Sequence, residues 1–203
     1  MKRLLTLFVL IVASASAWAE APVILVFGDS ISAGYGLPLE QGWVELLRTR
    51  LKAQGYGYQV VNASVSGETT AGGLARLPRA LELHHPSIVI LELGGNDGLR
   101  GLPIAQMRTN LTQMTSSSTA AGAKVLLLGM RMPPNYGPEY TKQFAMVFSD
   151  LAAEKKISLV PFLLTDIALS PALLQADDIH PNAQGQPILL DNVWPTLKPL
   201  LHK

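Results

Sequence analysis

Five short apolar runs alternate with amphipathic stretches along this chain of 203 residues, and the alternation restricts the possible folds more than any other feature. The runs are nearly continuous in Val, Ile and Leu, as in strands that are buried on both faces. They occupy residues 23–27, 58–61, 88–93, 125–130 and 157–160. The intervening stretches have helical length and spacing and occupy residues 43–52, 74–83, 104–120, 140–154 and 184–200. Strands alternating with helices predict a parallel sheet that is covered on both faces.

Right-handed crossovers between parallel strands restrict the architecture further. We expect an α/β fold in which a five-stranded parallel sheet forms the middle of a flavodoxin-like, three-layer α/β/α sandwich. Ligands of such sheets bind beyond the carboxyl ends of the strands, where the winding reverses. The sequence therefore predicts a functional site at that edge.

Chemically distinctive residues follow several of the apolar runs. Ser30 comes after the first run, segment 62–67 after the second and Asn96 after the third. His180 lies after the last run and ahead of the final helical stretch. All are expected on the same edge of the sheet. Each motif alone is also typical of an ordinary turn, because Gly, Asp, Asn and Ser favour turns.

A serine hydroxyl becomes a useful nucleophile only when a neighbouring base takes its proton. Of the four His residues in the chain, His180 lies on a predicted loop with carboxylates just ahead of it, at Asp177 and Asp178. A loop His is otherwise often a solvated side chain. No second His or third carboxylate lies at ligand spacing, so we expect no metal. The pattern favours a Ser–His–Asp arrangement and leaves both aspartates open.

Four sequence blocks carry the candidate chemistry, and they read GDS at 28–30, NASVSG at 62–67, GGND at 94–97 and DDIHPN at 177–182. In this order they resemble the SGNH (GDSL) hydrolase family, and within it the small periplasmic thioesterase, lysophospholipase and arylesterase members. The resemblance covers nearly all of the chain after the first two dozen residues. Four ordered blocks are far more specific than any one of them.

The resemblance implies roles for particular residues. Ser30 would be the nucleophile and His180 its base, and the family pattern Asp-x-x-His selects Asp177 as the acid. The backbone N–H groups of Ser30 and Gly67 and the side-chain amide of Asn96 would form the oxyanion hole. No cofactor is implied.

The nucleophile elbow Gly-x-Ser-x-Gly of α/β-hydrolases is absent, because the chain reads GDSIS at 28–32. Asp29 is therefore expected to be a turn or helix-cap residue rather than a catalytic acid.

Two loops on the predicted edge are candidates for substrate binding. They combine glycine with apolar or flexible side chains, and Met suits a pocket that accepts varied shapes. The candidate residues are Gly98, Leu99, Arg100, Met132, Pro133 and Tyr136. The alternative is that both loops simply pack on the core.

The N-terminus has the pattern of a secretory signal peptide. Lys2 and Arg3 precede an apolar stretch at 4–13, and cleavage is expected after Ala21 rather than Ala19. A transmembrane helix would need about 18 or more apolar residues. We expect a cleaved signal peptide at 1–21, a single domain at 22–203 and a periplasmic or secreted protein.

Composition limits the partners. Without Lys2, Arg3 and Glu20, the 16 basic and 15 acidic residues become 14 and 14. With no net charge and no basic stripe, nucleic acid is not expected as a partner. The chain has no Cys, which excludes disulfides and a cysteine nucleophile. We expect a monomer without a stable membrane anchor that acts on neutral or amphiphilic small molecules.

Taken with the resemblance, these features predict a serine hydrolase of carboxylic esters and thioesters. Acyl-CoA thioesters, lysophospholipids and aryl or short-chain esters are all candidate substrates. One alternative is a carbohydrate O-acetyl esterase of the same family, and another is a non-catalytic ligand-binding domain with this fold.

Overall fold

The five apolar runs form one parallel sheet in the computed structural model, which describes residues 21–203. The strands are β1 (Val23–Gly28), β2 (Gln59–Asn62), β3 (Ile88–Glu92), β4 (Lys124–Leu128) and β5 (Ser158–Val160). Their order across the sheet is β2-β1-β3-β4-β5, which confirms the prediction of a flavodoxin-like sheet. Except for Ala21, the expected signal peptide lies outside the described residues.

Seven α-helices occur in the described part of the chain. They are α1 (Ser30–Ala33), α2 (Trp43–Ala53), α3 (Thr70–His84), α4 (Gly95–Leu99), α5 (Ile104–Ala120), α6 (Pro138–Lys155) and α7 (Gly185–Leu197). Helices α3, α5 and α6 pack side by side on one face of the sheet, and α2 packs with α7 on the other. The three-layer α/β/α sandwich is thereby confirmed.

The central strands have the burial that their composition predicts. Residues Ile24–Phe27 of β1 and Val89–Leu91 of β3 have no exposed surface. Burying an aliphatic side chain of this size contributes about 1.5–3 kcal/mol. Burial of these residues therefore contributes strongly to holding β1 and β3 in the core.

Helix boundaries differ from the predicted ones where local caps decide them. Helix α3 begins at Thr70, ahead of the predicted 74, because the Thr69 hydroxyl accepts a hydrogen bond from the Gly72 N–H. Helix α6 begins at Pro138, since proline is favoured in the first turn of a helix. The sequence pattern did not predict α1 and α4, which have only four and five residues.

The winding of the sheet reverses between β1 and β3, which are neighbours although strand β2 and helices α1, α2 and α3 separate them along the chain. Gly28 at the end of β1 pairs with Glu92 at the end of β3. The segments that leave these strands therefore begin side by side. Among residues 21–203, no helix combines the length and apolar character needed to cross a membrane.

Candidate active site

Ser30 stands on a tight turn directly after the buried strand β1. We call residues 28–32 the Ser30 turn. Asp29 caps α1, because its Oδ1 accepts a hydrogen bond from the Ile31 N–H at 3.1 Å. This is the capping role expected from the sequence. Gly28 has no room for a side chain, since a Cβ there would lie 2.5 Å from Glu92 Oε2 and 2.9 Å from the Glu92 carbonyl oxygen.

The structure brings Ser30, His180 and Asp177 into one hydrogen-bonded chain. His180 Nε2 lies 2.8 Å from Ser30 Oγ, and His180 Nδ1 lies 2.6 Å from Asp177 Oδ2. The other carboxylate oxygen of Asp177 accepts the backbone N–H groups of Ile179 and His180, each at 3.0 Å. Nδ1 bonded to a carboxylate favours the tautomer in which Nε2 is free to accept a proton.

The two aspartates before His180 have different environments. Burial raises the pKa of Asp177, but hydrogen bonds from the His180 backbone and side chain and from the Ile179 N–H outweigh it and lower that pKa to about 2. Asp177 is therefore ionised near neutral pH. Asp178 has a left-handed backbone with φ 57°, and its carboxylate makes no hydrogen bond within residues 21–203.

The segment that carries His180, residues 171–182, is held together by its own hydrogen bonds. We call it the His180 loop. Leu174 and Pro181 form an antiparallel bridge, and the Gln175 N–H donates to the His180 carbonyl at 2.8 Å. The Gln175 side-chain amide donates to the carbonyls of Tyr35 at 2.8 Å and Pro181 at 3.2 Å. Gln175 thus connects this loop to the segment that follows the Ser30 turn.

Tyr35 forms one wall beside the histidine. Its ring is tilted against the His180 ring, with centroids 4.7 Å apart. Sequence reasoning missed both Tyr35 and Gln175, since neither belongs to a motif. Their partners become visible only when the loops are folded together.

Gly67 and Asn96, the expected oxyanion donors, lie in the segments that follow β2 and β3. Gly67 has φ 78°, a conformation that favours glycine, and its carbonyl accepts a hydrogen bond from Arg100 at 2.9 Å. The Gly67 N–H donates to no protein acceptor within residues 21–203. Asn96 lies in α4 and donates one amide N–H to Asp29 Oδ2 at 3.0 Å. Each side-chain amide has two N–H groups, so the second remains available.

Two carboxyl groups lie buried beneath Ser30. Glu92, at the end of β3, has no exposed surface, and its Oε2 accepts the Asp29 N–H at 3.2 Å. Burial, followed by the nearby Asp29 carboxylate, raises the pKa of Glu92 well above its ordinary value. Burial likewise raises the pKa of Asp29 to about 6, although hydrogen bonds from Ile31 and Asn96 oppose the shift.

Glu92 was not predicted as a site residue. The signal was present in the sequence, because Glu92 is the one charged residue in the apolar run 88–93. Burying a carboxyl group in a strand that is covered on both faces costs free energy, so such a group usually has a specific hydrogen-bonding partner.

The two candidate substrate loops contact each other. The Tyr136 hydroxyl donates to the Leu99 carbonyl at 3.0 Å, and the Tyr140 hydroxyl donates to the Gly98 carbonyl at 3.0 Å. Leu99 is half-buried, whereas Arg100, Pro133 and Tyr136 are exposed at the surface.

Gly98 and Met132 lie behind that surface. Met132 is 7% exposed and belongs to the hydrophobic core. A Cβ at Gly98 would collide with the Met132 sulfur and with the Phe144 ring. This pair packs the two loops together and is not directed at an open cleft. No group of three or more His, Cys, Asp or Glu side chains suited to hold a metal ion occurs within residues 21–203.

Several known proteins are similar to this chain in sequence and fold over most of their length. Residues 26–188 match the model of the GDSL-like lipase/acylhydrolase family. Esterase TesA from Pseudomonas aeruginosa is 56% identical over 183 residues, which are 90% of this chain and 91% of that protein. Thioesterase 1/protease 1/lysophospholipase L1 from Escherichia coli K12 is 41% identical over 184 residues, 91% of this chain and 87% of that protein.

A solved structure shows the same architecture. The crystal structure of the psychrotrophic esterase EstA from Pseudoalteromonas sp., inhibited by monoethylphosphonate, superposes with a TM-score of 0.84 at 43% identity. The match covers 87% of this chain and 97% of that chain. The chain therefore belongs to the GDSL-like lipase/acylhydrolase family and is an ester hydrolase.

Proposed function

We propose that this hydrolase cleaves carboxylic esters and thioesters through a covalent acyl-enzyme on Ser30, with His180 as base and Asp177 as its orienting acid. The observation that carries the proposal is the continuous chain from Ser30 Oγ through both His180 nitrogens to Asp177, at 2.8 and 2.6 Å. These distances lie within the range required for proton transfer between a nucleophile and its base.

The first half-reaction forms the acyl-enzyme. His180 Nε2 takes the Ser30 proton as Oγ attacks the carbonyl carbon, and a tetrahedral oxyanion results. The imidazolium then gives that proton to the leaving alkoxide or thiolate, and the carbon–oxygen or carbon–sulfur bond breaks. Asp177 is ionised and hydrogen-bonded to Nδ1, so it stabilises the imidazolium that forms between the two steps.

The second half-reaction releases the acid. His180 Nε2 removes a proton from water, whose oxygen attacks the acyl carbon and forms a second oxyanion. The bond from the carbon to Ser30 Oγ then breaks, and the proton returns to Oγ. In both halves, the N–H groups of Ser30, Gly67 and Asn96 stabilise the oxyanion, and removal of one such donor costs about 2.7–4 kcal/mol of transition-state stabilisation.

The acyl group is proposed to lie on the apolar rim around Ser30. Tyr35, Val65 and Ile179 are exposed to 52%, 45% and 43% and lie on loops at the carboxyl edge of the sheet. Similar proteins carry the names esterase, thioesterase and lysophospholipase. These names and the apolar rim support esters and thioesters with hydrophobic acyl groups as substrates. Leu99, Arg100, Pro133 and Tyr136 are proposed to border this region, with Gly98 and Met132 supporting it from behind.

Hydrolysis of p-nitrophenyl esters of graded acyl length tests the proposal. Ser30→Ala should abolish nearly all turnover while the thermal unfolding midpoint stays within a few degrees. Ser66→Ala, on the exposed loop beside Gly67, is the matched control and should stay within about threefold of the parent. Unchanged turnover in Ser30→Ala would exclude the assignment. Turnover confined to sugar acetates would indicate the carbohydrate esterase instead.

A phosphonate labels the same residue by different chemistry. EstA was crystallised in a form inhibited by monoethylphosphonate. With p-nitrophenyl ethylphosphonate, Ser30 Oγ should form a bond to phosphorus while the bond to p-nitrophenolate breaks and the serine proton passes to His180. Mass-spectrometric fragmentation of the labelled peptide should place the ethylphosphonyl group on Ser30 itself. Labelling of Ser32 or Ser66 instead would contradict the nucleophile assignment.

The sequence of residues 1–21 supports a further proposal, that the protein is exported with cleavage after Ala21. N-terminal sequencing of the protein from the periplasm of a bacterial host should begin at Pro22, or at Glu20 if cleavage follows Ala19. Recovery only from the cytosol, with residues 1–21 still attached, would contradict export. Light scattering during gel filtration should give the mass of a monomer.

A further inference from the structure

We propose that Asp29 and Glu92 are positioning residues, a buried acid pair that fixes the Asn96 amide in the orientation that binds the oxyanion. The inference rests on the proposed role of Asn96 as an oxyanion donor. It assigns a purpose to two carboxyl groups that the hydrolytic steps themselves do not use.

The contacts of Asp29 leave its carboxylate little freedom. Oδ1 accepts the Ile31 N–H at 3.1 Å and Oδ2 accepts the Asn96 amide at 3.0 Å. Asp29 is 2% exposed, so water does not compete for these oxygens. One carboxylate therefore ties the turn that carries Ser30 to the side chain of Asn96, on the neighbouring loop.

The bond to Asp29 also selects the face that Asn96 presents. An amide can rotate by 180° and exchange its oxygen and nitrogen, which differ little in shape. A carboxylate at the Oδ2 position accepts hydrogen bonds but offers none, so the NH₂ group must point toward it. The second N–H of that group is then directed away from Asp29 in a fixed plane, as a preorganised donor requires.

Glu92 holds Asp29 in place from the strand side. Its Oε2 accepts the Asp29 backbone N–H, and Glu92 is paired in the sheet with Gly28, the residue before Asp29. Two adjacent buried carboxyl groups cannot both be ionised without a large cost. Asp29 has two hydrogen-bond donors directed at its carboxylate, whereas Glu92 Oε1 is buried without a partner among residues 21–203. Glu92 is thus the member that keeps its proton, a direction that the rise in its pKa supports.

Isosteric substitutions separate this role from simple packing. Asp29→Asn retains an oxygen for the Ile31 N–H, and asparagine caps a helix about as well as aspartate. It then presents its own NH₂ to the NH₂ of Asn96, so the Asn96 amide must turn or move. Glu92→Gln is neutral like the protonated acid and keeps an oxygen for the Asp29 N–H.

The experiment is a set of double-mutant cycles on p-nitrophenyl ester hydrolysis. Asn96→Ala should lower kcat about 10²–10³-fold, as removal of an oxyanion donor does. Asp29→Asn should lower kcat at least tenfold with KM within about threefold of the parent. Glu92→Gln should stay within about threefold, whereas Glu92→Ala should lose tenfold or more. In the Asn96→Ala background, Asp29→Asn should cost less than about twofold further, because the residue through which it acts is gone.

Each possible outcome bears on the proposal. Multiplicative losses in the cycle would overturn it, as would an Asp29→Asn enzyme with full kcat or a Glu92→Gln enzyme as impaired as Glu92→Ala. If Glu92→Ala does not fold, the double-mutant cycle of Asp29→Asn with Asn96→Ala and the Glu92→Gln variant still test the proposal. A Ser30→Ala enzyme with full activity would instead refute the proposed function. If Ser30→Ala and Asn96→Ala both lose activity but Asp29→Asn lowers kcat by the same factor with and without Asn96, only the present inference is refuted.

Discussion

The Ser30 turn and the His180 loop meet at one hydrogen bond, yet they are positioned in opposite ways. The Ser30 turn emerges from β1, one of the buried inner strands of the sheet, and Asp29 and Glu92 beside Ser30 are buried acids. The His180 loop is largely exposed and is held by contacts among its own backbone and side chains. Asp177, 38% exposed at its side chain, bonds to Ile179 and His180, two and three residues further along the chain.

The contrast shows two solutions to the same requirement for a fixed geometry. The core positions the nucleophile, so its placement depends on contacts between residues distant in the sequence. The base is positioned by a short segment that carries its own orienting acid. Mutations should therefore separate catalysis from stability cleanly in the His180 loop, whereas mutations of the buried acids Asp29 and Glu92 beneath Ser30 should affect both.

The largest effect that tests this contrast is expected from His180→Ala. Without its base, Ser30 is a poor nucleophile, and kcat should fall about 10³-fold or more. Because the loop is exposed, the thermal unfolding midpoint should change by no more than about 3 °C. A fall of much more than that would mean that the loop contributes to global stability, and the contrast would fail.

Asp177→Asn should be next in size. Asparagine cannot stabilise the imidazolium and can select the wrong tautomer, so kcat should fall by about 10²–10⁴-fold. Asp178→Asn is the matched control, because asparagine tolerates the left-handed backbone at that position, and it should stay within about twofold. If kcat fell equally in both variants, the hydrogen bonds of Asp177 would not be what distinguishes it from Asp178 as the catalytic acid.

Gln175→Ala should give a smaller loss. It removes the hydrogen bonds to the Tyr35 and Pro181 carbonyls, each with a net contribution of about 1 kcal/mol. Looser placement of His180 should lower kcat about tenfold and leave the Ser30→Ala background unaffected. Gln184→Ala, an exposed glutamine at the start of α7, should be neutral. Full activity in Gln175→Ala would show that the loop needs no connection to Tyr35.

The pH dependence of stability should have opposite signs in the two regions. The pKa of Asp177 is lowered from 3.8 to about 2 in the folded state, so its contribution to stability is present above pH 3.8 and is lost as pH falls toward 2. Exposure reduces that contribution to less than about 1 kcal/mol. The pKa of Asp29 is raised from 3.8 to about 6, so stability is lost as pH rises through that window.

Urea unfolding of the parent, Asp177→Asn and Asp29→Asn between pH 3 and 7 measures both slopes. Between pH 4 and 6, the free energy of unfolding of the parent should decline by up to about 3 kcal/mol, which corresponds to two pKa units. The Asp29→Asn enzyme should lack this decline. Asp177→Asn should lack a small decline below pH 4. If the free energy of unfolding varies with pH in the same way in all three enzymes, neither carboxyl group has a different pKa in the folded and unfolded states.

Much of the fold was predictable because it depends on local periodicity. Helix α5 has the predicted bounds, and every predicted strand exists within two residues at each end. The first turn of α3 was missed because Gly72 and Gly73 are poor helix formers that a side-chain cap at Thr69 and packing nonetheless support. Asn96 was expected on the correct edge of the sheet because it follows β3 directly.

The supporting contacts were not predictable in the same way. The bond between Glu92 and Asp29 joins residues 63 apart in sequence, and that between Gln175 and Tyr35 joins residues 140 apart. No periodic pattern encodes such pairs. The exception is the charge of Glu92 itself, which contradicts the apolar strand around it and could have been recognised as a buried group with a partner.

The exposed position of the His180 loop also has a consequence for heat inactivation. Local opening of an exposed segment requires less free energy than global unfolding. In hydrogen exchange, the amides of Gln175 and Asn182 should lose protection well before those of β1 and β3. On warming, the enzyme should therefore lose activity reversibly while its sheet remains intact, because opening of the His180 loop removes His180 from Ser30 before the strands unfold.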